Sequence, residues 1–184
     1  MEPAGLARAA MFPVYGLAEA SLAVSFPPLG RPYRSICVDR HHMGVGEAPP
    51  RVEHTNRDAM ELMAVGTAIP YCEVRLVDDT DQAVAQGHIG HILIRGENVT
   101  RGCFEDPESN AATITAEGWV RTGDLGLFDD GDLYITGRAK EIIFVNGQNY
   151  YPHDLESIAL RAPRLELGKI VAAGVRPRGA QADQ

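Results

Sequence analysis

Lysine is nearly absent from this 184-residue chain: only Lys140 and Lys169 occur, so arginine supplies 15 of the 17 basic side chains. Any chemistry that needs a lysine has just those two to draw on. Cysteine is also scarce. Cys37, Cys72 and Cys103 are odd in number, lie more than 30 residues apart and form no CxxC spacing. That excludes a disulfide framework and the common zinc and dithiol motifs, and it leaves reduced thiols as the expectation. No apolar run approaches the roughly 20 residues of a membrane-spanning helix, and the N-terminus lacks a signal-peptide pattern. Positive charge is in deficit, with 17 Lys/Arg against 25 Asp/Glu and a formal net charge of −8. Nucleic acids and anionic membrane surfaces both call for a cationic footprint, so neither is an expected partner. A soluble, cytoplasmic protein without integral membrane contact is expected.

The charge that is present is unevenly spread. Residues 1–136 hold 10 basic and 20 acidic side chains, a net −10, whereas residues 137–184 hold 7 and 5, a net +2. This change of sign predicts a boundary at Gly137. Helical composition marks residues 2–10, and an apolar, strand-like step runs through Tyr15 and breaks at Gly16. Residues 27–66 read as an extended, loop-rich stretch. His41, His42 and His54 fall within it without a Cys or carboxylate at ligand spacing, so they read as loop residues rather than a metal site. Apolar–polar alternation predicts strands at 72–78 and 91–95, and a short helix suits 107–117. Three strands, 119–122, 125–128 and 132–136, would form a meander with Asp129-Asp130-Gly131 as a hairpin turn. Beyond Gly137 come a strand at 141–145, an Asn146-Gly147 turn, a helix at 152–161 with Pro near its start, and a last strand at 169–175. On that helix Leu155, Ile158 and Ala159 are expected to pack on a sheet.

Three segments carry polar groups that a fold alone would not require. In Tyr15-Gly16-Leu17-Ala18-Glu19, a glycine after an aromatic lets backbone approach a planar ligand, with a carboxylate just beyond. A strand-to-loop corner with an exposed Glu would give the same pattern. In Thr122-Gly123-Asp124-Leu125-Gly126, a turn between strands could hold a carboxylate that accepts both hydrogen bonds of a ribose diol. An Asx-type turn is the alternative. In Gly137-Arg138-Ala139-Lys140-Glu141, Arg138 offers a fixed-charge fork for a diol or phosphate, and a solvated charged face is the alternative.

Taken together and in order, these segments resemble the adenylate-forming superfamily over roughly residues 11–176. YGLAE is similar to its YGxTE segment, GWVRTGDLG to its TGD segment, and GRAKEIIFVNGQNYYPHDLE to its hinge. Within the superfamily, YGLAEASLAVS and NGQNYYPHDLE are most like the fatty acyl-AMP ligases. The resemblance implies a mixed α/β fold in two parts. Residues 1–136 would be the C-terminal portion of the large AMP-binding domain, β-rich with a distorted barrel, and residues 137–184 the hinge and the start of a small α+β domain. It also implies roles. Tyr15 would lie near the adenine, Glu19 would hold Mg²⁺ beside the phosphates, Asp124 would bind the ribose hydroxyls with Arg138 reinforcing it, and Gly16 and Ala18 would line the pocket. Ala18 stands where most relatives have Thr. Lys140 would be the hinge about which the small domain rotates.

The implied activity is that of an ATP-dependent ligase. A fatty acid and ATP would give acyl-adenylate and pyrophosphate, followed by transfer to an acyl carrier protein or to CoA; a non-catalytic AMP-binding module is the other possibility. The Ser/Thr/Gly/Lys-rich phosphate loop is nowhere in these residues, and Lys169 falls too early to be the superfamily's late catalytic lysine. The chain therefore reads as a slice of a longer ligase, expected to be inactive alone.

Overall fold

Alternation of apolar and polar residues shapes most of the strands, because successive side chains point to opposite faces of a pleated backbone. The computed structural model describes residues 5, 7–139, 143–145, 148–160, 162 and 169–175. The chain divides into two compact units, Met1–Thr136 and Gly137–Gln184. Its strands and helices run in the order β1 (Ser25–Phe26), β2 (Ser35–Asp39), β3 (Ala59–Met63), β4 (Thr67–Ala68), β5 (Cys72–Val77), β6 (Gly90–Gly96), α1 (Pro107–Thr113), β7 (Val120–Asp129), β8 (Asp132–Arg138), β9 (Ile143–Val145), β10 (Gln148–Tyr150) and α2 (Pro152–Ala159). This is a mixed α/β architecture dominated by strands.

In the first unit, β5, β6, β7 and β8 form a four-stranded sheet in that order, and two smaller antiparallel ladders, β1–β4 and β2–β3, lie in the same unit. Cys72, Leu76, Ile92 and Ile94 alternate onto one sheet face and join Tyr15, Val24 and Leu133 in the main core. Val77 and Leu93 point the other way and pack with Trp119. There the indole ring centroid lies 6.0 Å from the guanidinium carbon of Arg75 and 4.5 Å from that of Arg95, within cation–π range. Central β6 is covered on both faces, with Ile92, Leu93 and Ile94 at most 2% exposed. Each such side chain contributes roughly 1.5–3 kcal/mol by leaving water. Main-chain hydrogen bonds from Val65 N to Leu133 O and from Leu133 N to Gly66 O, both 2.8 Å, tie β8 to the segment before β4.

The stretch 27–66 is more regular than its composition predicts. β2 and β3 pair antiparallel with Ile36 opposite Leu62 and Val38 opposite Met60. β3 has its own alternation, with Met60 and Leu62 buried and Glu61 exposed, a five-residue signal masked by the Pro- and Gly-rich residues around it. The expected break between strands at 122–124 is also absent. β7 runs unbroken from Val120 to Asp129, and Thr122-Gly123-Asp124 forms a bulge inside it. His91 faces Leu125 and Leu93 faces Arg121, so one residue of β6 is matched by three of β7. The helix expected over 107–117 ends at Thr113, because Ile114 leaves it to bridge antiparallel with Val120. Asp106 caps its start, accepting a 3.0 Å hydrogen bond from Ser109 N, which satisfies one of the otherwise unpaired first-turn amides.

In the second unit, β9 and β10 pair antiparallel, and Pro152 opens α2 where a missing N–H costs nothing. Of the three residues expected to pack on a sheet, Leu155 at 37% exposed and Ala159 are partly covered, whereas Ile158 is 60% exposed; among the described residues the second unit has two three-residue strands, which offer little surface to cover it. Residues 169–175 form no strand. The amide of Ala172 instead donates to Glu156 Oε1 on α2 at 2.9 Å, a side-chain partner in place of a ladder. Among the described residues no helix is long and apolar enough to cross a membrane.

Candidate functional site

Tyr15 and Asp124, 109 residues apart, meet in the first unit. The phenolic hydroxyl of Tyr15 donates to Asp124 Oδ2 at 2.6 Å, and each residue is only 8% exposed. A hydrogen bond to an ionised carboxylate is worth about 1.5–3 kcal/mol net, and burial of both partners places this one at a structured point.

Different local devices bring each partner there. Tyr15 is held by main-chain bonds on both sides of Ser25, with Tyr15 N donating to Ser25 O at 3.2 Å and Ser25 N to Tyr15 O at 3.0 Å. Between them the chain makes a tight excursion through a 3₁₀ turn at Ala18–Ala20. Gly16 is needed for this closure, because a Cβ at that position would lie 2.0 Å from the carbonyl oxygen of Leu22. Asp124 is aimed by the β7 bulge. Gly123 sits at φ +80°, a left-handed backbone that glycine adopts without penalty. Thr122 locks the distortion: its hydroxyl donates to Ile92 O at 2.9 Å and accepts from Asp124 N at 3.0 Å. A bulge beside a functional position commonly re-aims a side chain in this way.

Glu19 lies within the 3₁₀ turn and is exposed, as are Gly16 and Ala18. Its main-chain carbonyl accepts a 2.7 Å hydrogen bond from Thr100 N. The neighbouring Asn98 donates its amide to Ala20 O at 3.0 Å and to Ala23 O at 2.7 Å. Neither Asn98 nor Thr100 stands out in the sequence, because bonds to backbone carbonyls leave no signature in residue spacing.

Among the described residues no group of three or more His, Cys, Asp or Glu is arranged to hold a metal ion. An exposed single carboxylate still fits Mg²⁺, which keeps several waters and takes one or two carboxylates plus substrate phosphates. His41 and His42 stand in a short turn capped by Asp39, and they pair with Asp58 at 3.5 Å and with Asp39 at 3.2 Å. Cys37, Cys72 and Cys103 are free thiols. Arg138, exposed at the end of β8, belongs to the second unit, and Lys140 lies outside the described residues. The structure thus brings Tyr15, Gly16, Ala18, Glu19 and Asp124 into one unit.

Comparison with known proteins adds four findings. The model of a family described as AMP-binding enzyme matches residues 4–104. A 4-hydroxyphenylalkanoate adenylyltransferase of Mycobacterium tuberculosis is 37% identical over 94% of this chain and 29% of its own length. A long-chain-fatty-acid–AMP ligase of Mycolicibacterium smegmatis is 36% identical over 94% of this chain and 30% of its own. A structure from work on fatty acyl-adenylate ligases of E. coli and L. pneumophila superposes with a TM-score of 0.79 at 34% identity, covering 91% of this chain and 30% of that one. The chain spans under a third of the length of the curated relatives it matches.

Proposed function

Because the chain belongs to the AMP-binding enzyme family, we propose that it is part of a ligase that activates a fatty acid with ATP, giving acyl-adenylate and pyrophosphate, and passes the acyl group to an acyl carrier protein. Residues 1–136 are then the C-terminal portion of the large domain, and residues 137–184 the hinge and the beginning of the small one. A cytoplasmic location suits this chemistry.

The buried Tyr15–Asp124 pair, held at 2.6 Å, is the observation that best supports a nucleotide site here. Asp124 accepts from the ribose hydroxyls, its orientation fixed by the Tyr15 hydroxyl and the Thr122 bulge. The Tyr15 ring lies near the adenine, and Gly16 and Ala18 line the pocket. Arg138 reinforces the hold on the ribose, and Lys140 is the pivot between half-reactions. Glu19 holds Mg²⁺, which when bound neutralises phosphate charge. A carboxylate is a weak nucleophile facing an anionic α-phosphate, so catalysis consists mainly of positioning the two reactants and relieving their repulsion. The fatty-acid carboxylate oxygen attacks the α-phosphorus, and pyrophosphate leaves with the electron pair of the broken P–O bond.

ATP–pyrophosphate exchange with dodecanoic acid on the full-length protein tests this. Asp124→Asn is expected to lower kcat/KM for ATP by roughly tenfold or more, the loss of a charged acceptor worth about 1.5–3 kcal/mol. Unchanged exchange would remove Asp124 from the nucleotide site. The 184-residue chain, which has no phosphate loop, is expected to give no exchange. Thioester formation with CoA in place of a carrier protein would assign the acceptor to the CoA-forming alternative.

A further inference from the structure

Glu19 sits on a turn with a strained exit. Ser21 and Leu22 follow at φ 51° and 69°, two consecutive non-glycine residues in the left-handed region, which L-residues visit at a cost and normally one at a time. Ala20 and Val24 anchor the ends of this excursion in the core at 0% exposure, but Leu22 between them is 75% exposed. Burial of the strained pair therefore cannot hold it. Local main-chain bonds close it, among them Ser21 N to Ala18 O at 3.2 Å and Leu22 N to Leu17 O at 3.0 Å, and the distant segment 98–100 braces it from outside. Both amide hydrogens of Asn98 are spent on carbonyls that flank the left-handed pair, Ala20 O at 3.0 Å and Ala23 O at 2.7 Å. Ser21 Oγ donates back to Asn98 O at 3.1 Å, and Thr100 N donates to Glu19 O at 2.7 Å. Since both acceptors are carbonyls, the group between them must bring two donors, as the asparagine NH₂ does.

We propose that Asn98 is a positioning residue: it clamps the Ala18–Ala23 turn so that the Glu19 carboxylate is presented to the Mg²⁺–ATP complex. The inference rests on the proposed role of Glu19 and adds to it the element that fixes the carboxylate. Asparagine has a specific advantage here, because its side chain is short enough to be rigid and carries two donors. Aspartate is nearly the same shape but would set acceptors against two carbonyls and drive the turn open.

Calorimetric titration of the full-length protein with ATP, in Mg²⁺ and in EDTA without fatty acid, separates the possibilities. Glu19→Gln and Asn98→Asp are both expected to cut the Mg²⁺-dependent gain in ATP affinity by about tenfold, leaving affinity in EDTA within about twofold, the pattern of a lost metal contact rather than of general damage. The result that overturns the inference is a full Mg²⁺ gain in folded Asn98→Asp when Glu19→Gln has lost it. A full gain in Glu19→Gln would instead overturn the role of Glu19 itself. If Asn98→Asp does not fold, Asn98→Ser, which keeps one donor of the two, carries the same comparison with a smaller expected loss of roughly threefold; equal loss of affinity with and without Mg²⁺ would count against positioning.

Discussion

A single carboxylate can organise a turn, and its titration then reports on that turn. Asp78 Oδ1 accepts from the Thr80 hydroxyl at 2.7 Å and from the amides of Thr80 and Gln82 at 2.8 and 3.0 Å. The Thr80 hydroxyl, followed by the Gln82 and Thr80 amides, holds the Asp78 carboxyl below the usual carboxylate range. A carboxyl depressed in the folded state adds stability in full above its unfolded value of about 3.9, and that contribution is lost as pH falls through the lower folded value. In an NMR titration, the Thr80 and Gln82 amide resonances should move with a midpoint below about 3.9, and Asp78→Asn should flatten the transition. A midpoint at or above that value would show that these bonds do not favour the charged form. At this same scale, Tyr15, Glu19 and Asp124 can be picked out of the sequence as candidates because each sits in an ordered motif. Asn98 cannot, since its partners are main-chain atoms 75 and 78 residues earlier.

At the scale of elements, two glycines serve opposite purposes. Gly123 is left-handed at φ +80° with open space where a methyl group would stand, whereas Gly16 has ordinary φ but no room. Gly123→Ala should therefore cost about 1 kcal/mol, the backbone penalty alone. Gly16→Ala should cost about 3 kcal/mol or more, because its Cβ would collide with main chain that cannot step aside. Equilibrium urea unfolding would rank the two, and the reverse order would contradict both explanations. The same contrast shows what the sequence can convey. The strands at 72–77 and 90–96 are legible through period-two alternation reinforced by burial on one face. The bulge is not, because TGD has the composition of a turn, and only pairing with β6 on either side keeps it within one strand. The β2–β3 ladder is hidden for the same reason: paired residues such as Asp39 and Ala59 lie 20 positions apart, across a loop of turn-forming residues.

On the scale of the whole molecule, the β7–β8 turn is gripped from across the first unit by two arginines. Arg34 contacts Asp130 and Asp132 at 2.9 and 3.0 Å, and Arg51 contacts Asp129 at 2.8 Å. Exposed pairs of this kind are worth at most about 1 kcal/mol each, but the Asp132 side chain is only 12% exposed and would be left without this partner. Arg34→Met is expected to lower stability by about 1 kcal/mol at low salt, with the deficit shrinking as ionic strength rises; paired unfolding curves at low and high salt would reveal a deficit that does not shrink. The chain's one tryptophan, Trp119, stands on the sheet face turned away from Tyr15 and the core. Its fluorescence therefore comes from a single known address, bracketed by two guanidinium groups. Emission excited at the red edge of the absorption band would follow the Trp119 face of the sheet and not the Tyr15 face, so one cuvette experiment could time the loss of the scaffold separately from any event at Asp124.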